Sequence, residues 1–347
     1  MKVCELDYDL PSERIAQTPC EPRDAARLMV LHRATGVLEH RVFRELPGLL
    51  TERDCLVVNR TRVLPAKFVA SRRTGGRIEG LFVHEVSPGL WTVLLSGAGR
   101  VREGERLALG DSPWSLILRR RGERGLCEVA LSPPDPAAEV LERIGATPLP
   151  PYIRRRGDEL ADVGQLDRRC YQTVYADEPG AVAAPTAGMH FTEAMLENIR
   201  AAGTSIADVV LHVGLGTFQP VEVEDLADHA MHSEWYRLSP RSARTILDSR
   251  EAGGRTVAVG TTTVRVLETC GGSGTLEPQS GWTNILIHPP HTFSAVDVLL
   301  TNFHLPRSTL LALVCAFAGR EAIMEAYRCA VAEGYRFYSY GDAMLIL

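Results

Sequence analysis

His190, His212 and His304 stand in loop-like segments in the second half of this 347-residue chain. Imidazole has the ordinary side-chain pKa that lies nearest to neutrality, so a histidine can accept or donate a proton under mild conditions. A single loop histidine is as often a hydrogen-bonded structural side chain as a catalytic group. Three histidines in comparable segments favour an enzyme that moves protons.

Four segments, three of which carry one of these histidines, are predicted to lie at one edge of a sheet. They cover residues 184–192, 211–218, 260–265 and 301–308. Ligands of open α/β sheets bind beyond the carboxyl ends of the strands. Two of the segments run directly into predicted helices, whose first N–H groups attract carboxylate or phosphate. The spacing therefore predicts an α/β enzyme that binds a polar or anionic ligand.

Common nucleotide and metal motifs do not fit this chain. Gly214-Leu215-Gly216 follows a predicted strand but lacks the third glycine of a dinucleotide-binding loop. The pairs His229/His232 and His288/His291 have ligand-like spacing, but neither a nearby cysteine nor an H-E-x-x-H pattern accompanies them. We therefore expect an enzyme without a metal.

The composition is that of an ordinary globular protein, with 45% hydrophobic and 23% charged residues. A length of 347 residues favours two domains. The eight cysteines stand singly, with no C-x-x-C pair, which favours reduced thiols and a cytoplasmic location. No apolar run is long enough for a membrane span, and residues 1–7 do not resemble a signal peptide.

Charge is unevenly distributed along the chain. The whole sequence has a net charge of −5, whereas residues 60–156 contain 17 basic and 10 acidic residues. A basic segment between acidic flanks is typical of a module that binds a polyanion. Arginine supplies nearly all of the positive charge, and its planar guanidinium favours bidentate phosphate contacts.

From Pro65 onward, short apolar runs alternate with glycine-rich turns. Strands are predicted at residues 68–70, 78–85, 91–96, 106–109, 114–119 and 126–131. Strands at this spacing, without helices between them, are typical of a small β-barrel. The proline-rich runs at 133–136 and 148–151 mark the exit from this barrel.

Elsewhere the pattern is one of alternating strands and helices. Strands are predicted at residues 55–59, 205–213, 256–259, 284–288 and 296–300, and helices at 193–202, 264–269, 308–318 and 321–333, with a further helix that begins after Ser239. Thr192 and Ser239 are the predicted N-caps. Repeated strand–helix units predict an α/β fold whose mainly parallel sheet is interrupted by the inserted barrel. We expect an α/β domain of residues 1–63 and 157–347 and a barrel of residues 64–156.

Several long runs resemble one enzyme family. They are A-A-P-T-A-G-M-H-F-T, H-V-G-L-G-T-F-Q-P-V, M-H-S-E-W-Y, T-N-F-H-L-P-R-S-T-L-L, the ending Y-R-F-Y-S-Y-G-D-A-M-L-I, and the shorter runs D-Y-D-L-P and P-L-P-P-Y-I. Over essentially its whole length the chain is similar to the S-adenosylmethionine:tRNA ribosyltransferase-isomerases of queuosine biosynthesis. The resemblance implies an α/β domain with an inserted barrel.

The reaction that the resemblance implies moves the ribosyl part of S-adenosylmethionine onto 7-aminomethyl-7-deazaguanine at the tRNA wobble position. Adenine and methionine leave, and epoxyqueuosine-tRNA results. The attacking amine must lose a proton, a carbon beside the sulfonium must be deprotonated, and the departing adenine needs a proton donor. Groups that titrate near pH 7 suit these steps best.

The implied site residues fall into three groups. The catalytic candidates are His190, His212 and His304, with Asp342 as an orienting group or second base. The candidates for binding S-adenosylmethionine are Thr186, Gly188, Gly214, Gly216, Thr261, Thr262, Arg265 and Asn302, and Arg307 joins Arg265 as a candidate partner of the methionine carboxylate or a tRNA phosphate. The candidates for binding tRNA, in a barrel expected to contact it, are Arg62, Arg72, Arg73, Arg154, Arg155 and Arg156. We expect a monomer that binds S-adenosylmethionine and tRNA and does not associate with a membrane.

Two alternatives remain open. A divergent paralogue would use S-adenosylmethionine on another nucleic-acid acceptor, and Arg60, which stands where an acid is usual in the family, bears on this choice. A non-catalytic RNA-binding protein would use the basic barrel alone. Methyl transfer is disfavoured because the glycine-rich loop is incomplete.

Overall fold

The structure is a computed structural model that describes residues 1–155, 160–214, 216, 221–272 and 275–347. In chain order its strands are β1 Arg27–His32, β2 Val37–Val42, β3 Cys55–Asn59, β4 Thr61–Val63, β5 Lys67–Arg72, β6 Arg77–Ser87, β7 Leu90–Leu95, β8 Arg106–Ala108, β9 Ser115–Arg121, β10 Leu126–Ser132, β11 Glu178–Ala181, β12 Ser205–Leu211, β13 Glu234–Leu238, β14 Thr256–Val259, β15 Gln279–Thr283, β16 Val298–Asn302 and β17 Ala343–Ile346. Its α-helices are α1 Ala137–Ile144, α2 Leu160–Cys170, α3 Glu193–Ala201, α4 Pro240–Glu251, α5 Thr261–Gly271, α6 Thr309–Ala318 and α7 Arg320–Ala332.

Nine strands form the main sheet, in the order β15-β13-β12-β3-β14-β16-β17-β1-β2. The neighbouring strands β12, β3, β14 and β16 are parallel to one another. On either side of them, the pairings of β12 with β13 and of β16 with β17 are antiparallel. The sheet is thus mixed, with a parallel centre, and the predicted α/β class is confirmed.

Helices cover both faces of the parallel centre. In β3, Val57 packs into an apolar cluster with residues of α4 to α7, whereas Leu56 and Val58 pack into a second cluster with residues of α3. Successive side chains of a strand point to opposite faces, so a strand that is covered on both faces must be apolar throughout. This explains the unbroken apolar run that predicted β3 from the sequence.

The predicted barrel is also present. Strands β10-β7-β6-β5-β8-β9 close into an antiparallel barrel, and closure removes the free edges of a small sheet. Buried side chains alternate with half-exposed ones along β7 and fill the interior. Strands β4 and β11, which come before and after the barrel in the chain, pair in parallel. Entry and exit are therefore side by side, as an insertion requires. The predicted domain boundaries stay a prediction.

The two predicted N-caps are confirmed. Thr192 Oγ1 accepts the Met195 N–H at 3.2 Å at the start of α3, and Ser239 Oγ accepts the Ser242 N–H at 3.1 Å at the start of α4. Both side chains cap N–H groups that have no partner within the helix. Among the described helices, none is long and apolar enough to cross a membrane.

One predicted strand is wrong. Residues 284–288 are irregular, and the strand of this region is β15, which ends at Thr283. The Ile285 N–H bonds to Thr283 Oγ1 at 3.2 Å, and Ile287 is buried in the main core. The apolar residues that indicated a strand are therefore core anchors of a loop.

Candidate active site

A cleft with two connected parts opens at the carboxyl ends of the parallel strands. The inner chamber, about 60 Å³, is bordered by Thr186, Thr262, Asn302 and His304 among others. The outer chamber, about 560 Å³, is bordered by His229, His232, Glu234 and Arg307 among others. Both chambers share four lining residues, which we call the neck: Tyr152, Arg265, Leu310 and Tyr338. The position agrees with that of ligand sites in other open α/β sheets.

Asn302, the last residue of β16, is held in place by hydrogen bonds on both sides of its amide. Its Nδ2 donates to His190 Nε2 at 3.2 Å, and its Oδ1 accepts the Thr186 hydroxyl at 3.0 Å. The Asn302 side chain is almost fully buried, so these bonds fix the amide where it borders the inner chamber. The structure thus brings three of the predicted residues together.

His190 lies behind Asn302 and is absent from the lining of either chamber. Its ring packs on Phe43 with centroids 4.9 Å apart. Burial, with smaller effects of Arg336 and Arg23, lowers the pKa of His190 to about 3. This low pKa differs from the near-neutral titration expected of His190, and its catalytic role stays a prediction.

His304 borders the inner chamber, two residues beyond the end of β16. Its ring Nε2 lies 2.8 Å from Thr301 Oγ1, and its backbone N–H donates to the Tyr327 hydroxyl at 3.0 Å. Burial lowers the pKa of His304 to about 3, so the ring is neutral at physiological pH, which differs from the near-neutral titration expected of it. Its position still suits a hydrogen bond to a ligand.

His212 points away from the cleft. The next residue, Val213, borders the inner chamber, whereas the His212 ring stacks on Trp235 with centroids 5.2 Å apart. His212 Nδ1 lies 2.8 Å from Thr61 Oγ1, and burial lowers the pKa of the imidazole against the opposing effect of Glu178. The structure does not bring His212 together with the other two histidines.

Asp342 is a buried anchor of the chain end. Its Oδ1 accepts the Arg27 N–H at 2.9 Å, and its Oδ2 accepts the Arg336 N–H at 2.8 Å. Its carbonyl oxygen lies 3.5 Å from Asn302 Nδ2. Both carboxylate oxygens are therefore engaged in backbone contacts, which differs from the predicted role of orienting an imidazole or acting as a base.

Arg265 and Glu234 form a buried ion pair at the neck. Arg265 Nη1 donates to Glu234 Oε2, and Glu234 Oε1 accepts the Gly214 N–H at 2.8 Å. The Arg265 side chain is only 7% exposed, yet its Nη2 has no hydrogen-bond partner among the described residues. A buried guanidinium with an unused donor is suited to an anionic ligand group. Glu234, which sequence reasoning missed, lies in the run M-H-S-E-W-Y.

Some of the remaining candidates for the co-substrate site border the cleft, and others lie in the structure packed behind it. Thr261 and Thr262 border the inner chamber at the first turn of α5, and Thr262 Oγ1 accepts Asn59 Nδ2 at 3.3 Å. Gly216 borders the outer chamber. Gly188 does not border it: a side chain there would meet the Tyr175 hydroxyl at 1.8 Å, so this glycine permits close packing.

The predicted tRNA-binding arginines differ in their engagement. Arg72 forms a two-bond ion pair with Glu105, and Arg155 forms one with Asp167. The half-exposed Arg62 lies 3.8 Å from Glu142. Arg73 and Arg154 are exposed. Arg156 lies outside the described residues.

Arg60 is engaged within the protein. Its guanidinium pairs with Asp177, Glu178 and Asp208, at 2.5, 3.1 and 2.8 Å. The positive charge that stands where an acid is usual is thus neutralised by carboxylates of the same chain, at and beside the start of β11.

The positions of the described side chains give little support for a metal site. Within the described ranges we find no group of three or more histidine, cysteine, aspartate or glutamate side chains placed to hold a metal ion. His229 and His232 instead border the outer chamber, where burial and His232 lower the pKa of His229. The absence of a metal stays a prediction.

Sequence reasoning also missed the two neck tyrosines. Tyr152 lies in the run P-L-P-P-Y-I and Tyr338 in the C-terminal run, so both stood in segments that carried the resemblance. Their residue type gave no sign of a place at the site. Only the folded chain brings together two positions that are 186 residues apart in sequence.

Comparison with known proteins places the whole chain. Residues 3–346 match the family model described as queuosine biosynthesis protein. The chain is 50% identical over 349 residues to the S-adenosylmethionine:tRNA ribosyltransferase-isomerase of Symbiobacterium thermophilum and 49% identical over 347 residues to that of Thermotoga petrophila, with 100% of both chains covered in each case. The crystal structure of S-adenosylmethionine tRNA ribosyltransferase from Thermotoga maritima is 40% identical, with a TM-score of 0.57 over 99% of this chain and 100% of that one.

Proposed function

The chain belongs to the queuosine biosynthesis protein family, and we propose that its two-part cleft carries out the S-adenosylmethionine:tRNA ribosyltransferase-isomerase reaction. In this reaction the ribosyl part of S-adenosylmethionine moves onto 7-aminomethyl-7-deazaguanine in tRNA, while adenine and methionine leave. The observation that carries the proposal is the pairing of an uncharged hydrogen-bonding chamber with a buried, incompletely paired Arg265 at its mouth.

The cleft suits S-adenosylmethionine in size and chemistry. The inner chamber alone, about 60 Å³, is too small, so the co-substrate must extend through the neck into the outer chamber of about 560 Å³. Thr186, Thr262 and Asn302 offer hydroxyl and amide groups to a ribosyl hydroxyl. Arg265 Nη2 offers a donor to the methionine carboxylate.

We propose different roles for the histidines from those expected of near-neutral bases. His304 hydrogen-bonds the co-substrate as a neutral imidazole, because burial holds its pKa at about 3. His190 orients Asn302. His229, which is half-buried in the outer chamber beside His232, is better placed to exchange protons with water.

The barrel is the proposed tRNA-contacting module. Its segment carries the excess of positive charge, and Arg73 and Arg154 present exposed guanidinium groups. Phosphate contacts of this kind would hold the anticodon arm while the wobble base enters the cleft.

Adenine release tests the proposed function directly. The protein is incubated with S-adenosylmethionine and tRNA that carries the aminomethyl-deazaguanine precursor, and free adenine and methionine are quantified together with the modified nucleoside. We expect all three products in equal amounts. Formation of S-adenosylhomocysteine, or tRNA binding without adenine release, would contradict the proposal.

A further inference from the structure

The neck of the cleft is built from two tyrosine rings. Tyr152 and Tyr338 border both chambers, and their ring centroids lie 4.0 Å apart with an interplanar angle of 76°. The Tyr152 hydroxyl lies 2.6 Å from Ser339 Oγ, which fixes one ring against the other. A ligand that extends from one chamber into the other therefore lies beside residues of the neck, which include both rings.

Tyr338 is held in a strained backbone conformation. Its φ is 72°, and within the described ranges only Arg307 shares a positive φ among residues other than glycine. Both residues border the outer chamber. A bulky residue in the left-handed region costs free energy, and such residues persist where the surrounding structure enforces them, commonly at ligand sites.

Two backbone hydrogen bonds hold Tyr338 in this conformation. The Tyr338 N–H donates to the Phe303 carbonyl at 3.0 Å, and the Tyr338 carbonyl accepts the Gly341 N–H at 3.0 Å. The first bond ties the turn to Phe303, which lies between Asn302 and His304 at the edge of the inner chamber, and the second closes the turn itself. Tyr338 keeps partial exposure where it borders both chambers, so part of this residue is open to a ligand in the cleft.

From the neck geometry and the strain at Tyr338 we infer that Tyr152 and Tyr338 form a binding site for a flat purine-type base, with Tyr338 as the stacking residue. Aromatic side chains attract nucleobases through their π faces, whatever the base. Resting on the proposed function, the inference allows two sources of the base: the adenine of S-adenosylmethionine or the deazaguanine of the tRNA.

The decisive variants are Tyr338→Gly and Tyr338→Phe. Glycine adopts a φ of 72° without strain, so the turn is retained while the ring is removed. Phenylalanine retains the ring and removes only the hydroxyl, which makes it the matched control. Melting temperature measured for both variants separates the absence of the ring from a failure to fold.

Binding and turnover then identify the base. With adenine as the ligand, Tyr338→Gly weakens S-adenosylmethionine binding to the tRNA-free protein by roughly 5-fold or more in calorimetry, the range of base–aromatic stacking, and Tyr338→Phe does not. With the tRNA base as the ligand, S-adenosylmethionine binding is unchanged and the KM for tRNA rises instead. If a folded Tyr338→Gly variant changes neither quantity while the unaltered protein releases adenine, the neck proposal is overturned and the proposed function stands.

Discussion

Asn302 separates His190 from the inner chamber. Its Nδ2 lies 3.2 Å from His190 Nε2, and Asn302 borders the chamber whereas His190 is not among the residues that line it. Because Nε2 accepts this hydrogen bond, the proton of the neutral ring is on Nδ1. The low pKa of His190, about 3, keeps the ring in that acceptor form. This geometry supports the proposed role of His190 as a positioning residue that acts through Asn302.

The first prediction concerns His190→Phe. Phenylalanine retains the aromatic packing on Phe43 but leaves Asn302 Nδ2 without its main acceptor, which costs about 1–3 kcal/mol for a buried donor. We expect adenine release to slow through a lower kcat, with an unchanged pH profile. In His190→Gln the amide oxygen can accept the same bond, so activity should recover in part. A fully active His190→Phe variant would contradict the positioning role.

The second prediction concerns stability in acid. His190 and His304 have folded pKa values of about 3, below the ordinary value near 6.5. Each neutral, buried imidazole contributes stability that is fully present above pH 6.5. As the pH falls from 6.5 toward 3, the unfolded chain binds a proton at each histidine while the folded protein does not, so acid favours the unfolded state and the contribution is lost. Between pH 7 and pH 5 the free energy of unfolding should fall by about 2 kcal/mol per histidine.

Urea unfolding at pH 7 and pH 5 measures this loss of stability. In the variant His304→Gln the loss over that interval should be smaller by the share of one histidine. An identical loss in the variant and the unaltered protein would show that the His304 imidazole is already accessible to protons when folded.

Much of the fold could be predicted because its signals are local. The apolar run of β3, the alternating strands of the barrel, and the caps Thr192 and Ser239 depend on residues close together in sequence. The pairing of β17 between β16 and β1 could not be predicted in this way. It joins segments from the two ends of the chain, and an apolar tetrapeptide does not specify its partners.

The site was predicted less well for the same reason. His304, Asn302 and Arg265 border the cleft, as expected of residues at the end of β16, just after it, and in the second turn of α5. It did not predict that His190 is buried or that His212 points away. Burial and side-chain direction depend on contacts with Phe43 and Trp235, which are distant in sequence from their partners.

The third prediction concerns Arg265. Replacing it by glutamine removes the proposed charge-assisted bond to the methionine carboxylate, so S-adenosylmethionine binding should weaken by about 10- to 100-fold. Calorimetry of the tRNA-free protein measures the change. Arg241→Gln, on the exposed side of α4, is the control and should bind normally. Equal affinity of the two variants would exclude Arg265 as the carboxylate partner.

The fourth prediction concerns the exposed arginines of the barrel segment. Arg73→Glu and Arg154→Glu should weaken tRNA binding and reduce the slope of log affinity against log salt, by about 0.7–0.9 for each phosphate that the variant no longer neutralises. Arg328→Glu, on the exposed side of α7, is the control for a general change of charge. If all three variants bind tRNA equally weakly, the barrel is not the specific contact surface.

The fifth prediction concerns the pH dependence of turnover. His304 has a pKa of about 3 and cannot produce an inflection between pH 5 and pH 8 in the free enzyme. His229 is half-buried in the outer chamber, and burial together with His232 lowers its pKa below the ordinary value without removing it from water. We therefore expect adenine release to decline on the acid side, below pH 6.5, as His229 becomes protonated.

Variants at the two positions distinguish these histidines. His229→Gln should remove the acid inflection from the profile of kcat/KM, whereas His304→Gln should lower the plateau and leave the inflection in place. The free enzyme determines the pKa values seen in kcat/KM, so the ligand-free geometry is the relevant one. If the inflection persisted in His229→Gln and vanished in His304→Gln, the imidazole of His304 would have to be more basic than its burial dictates, and it would be the proton acceptor after all.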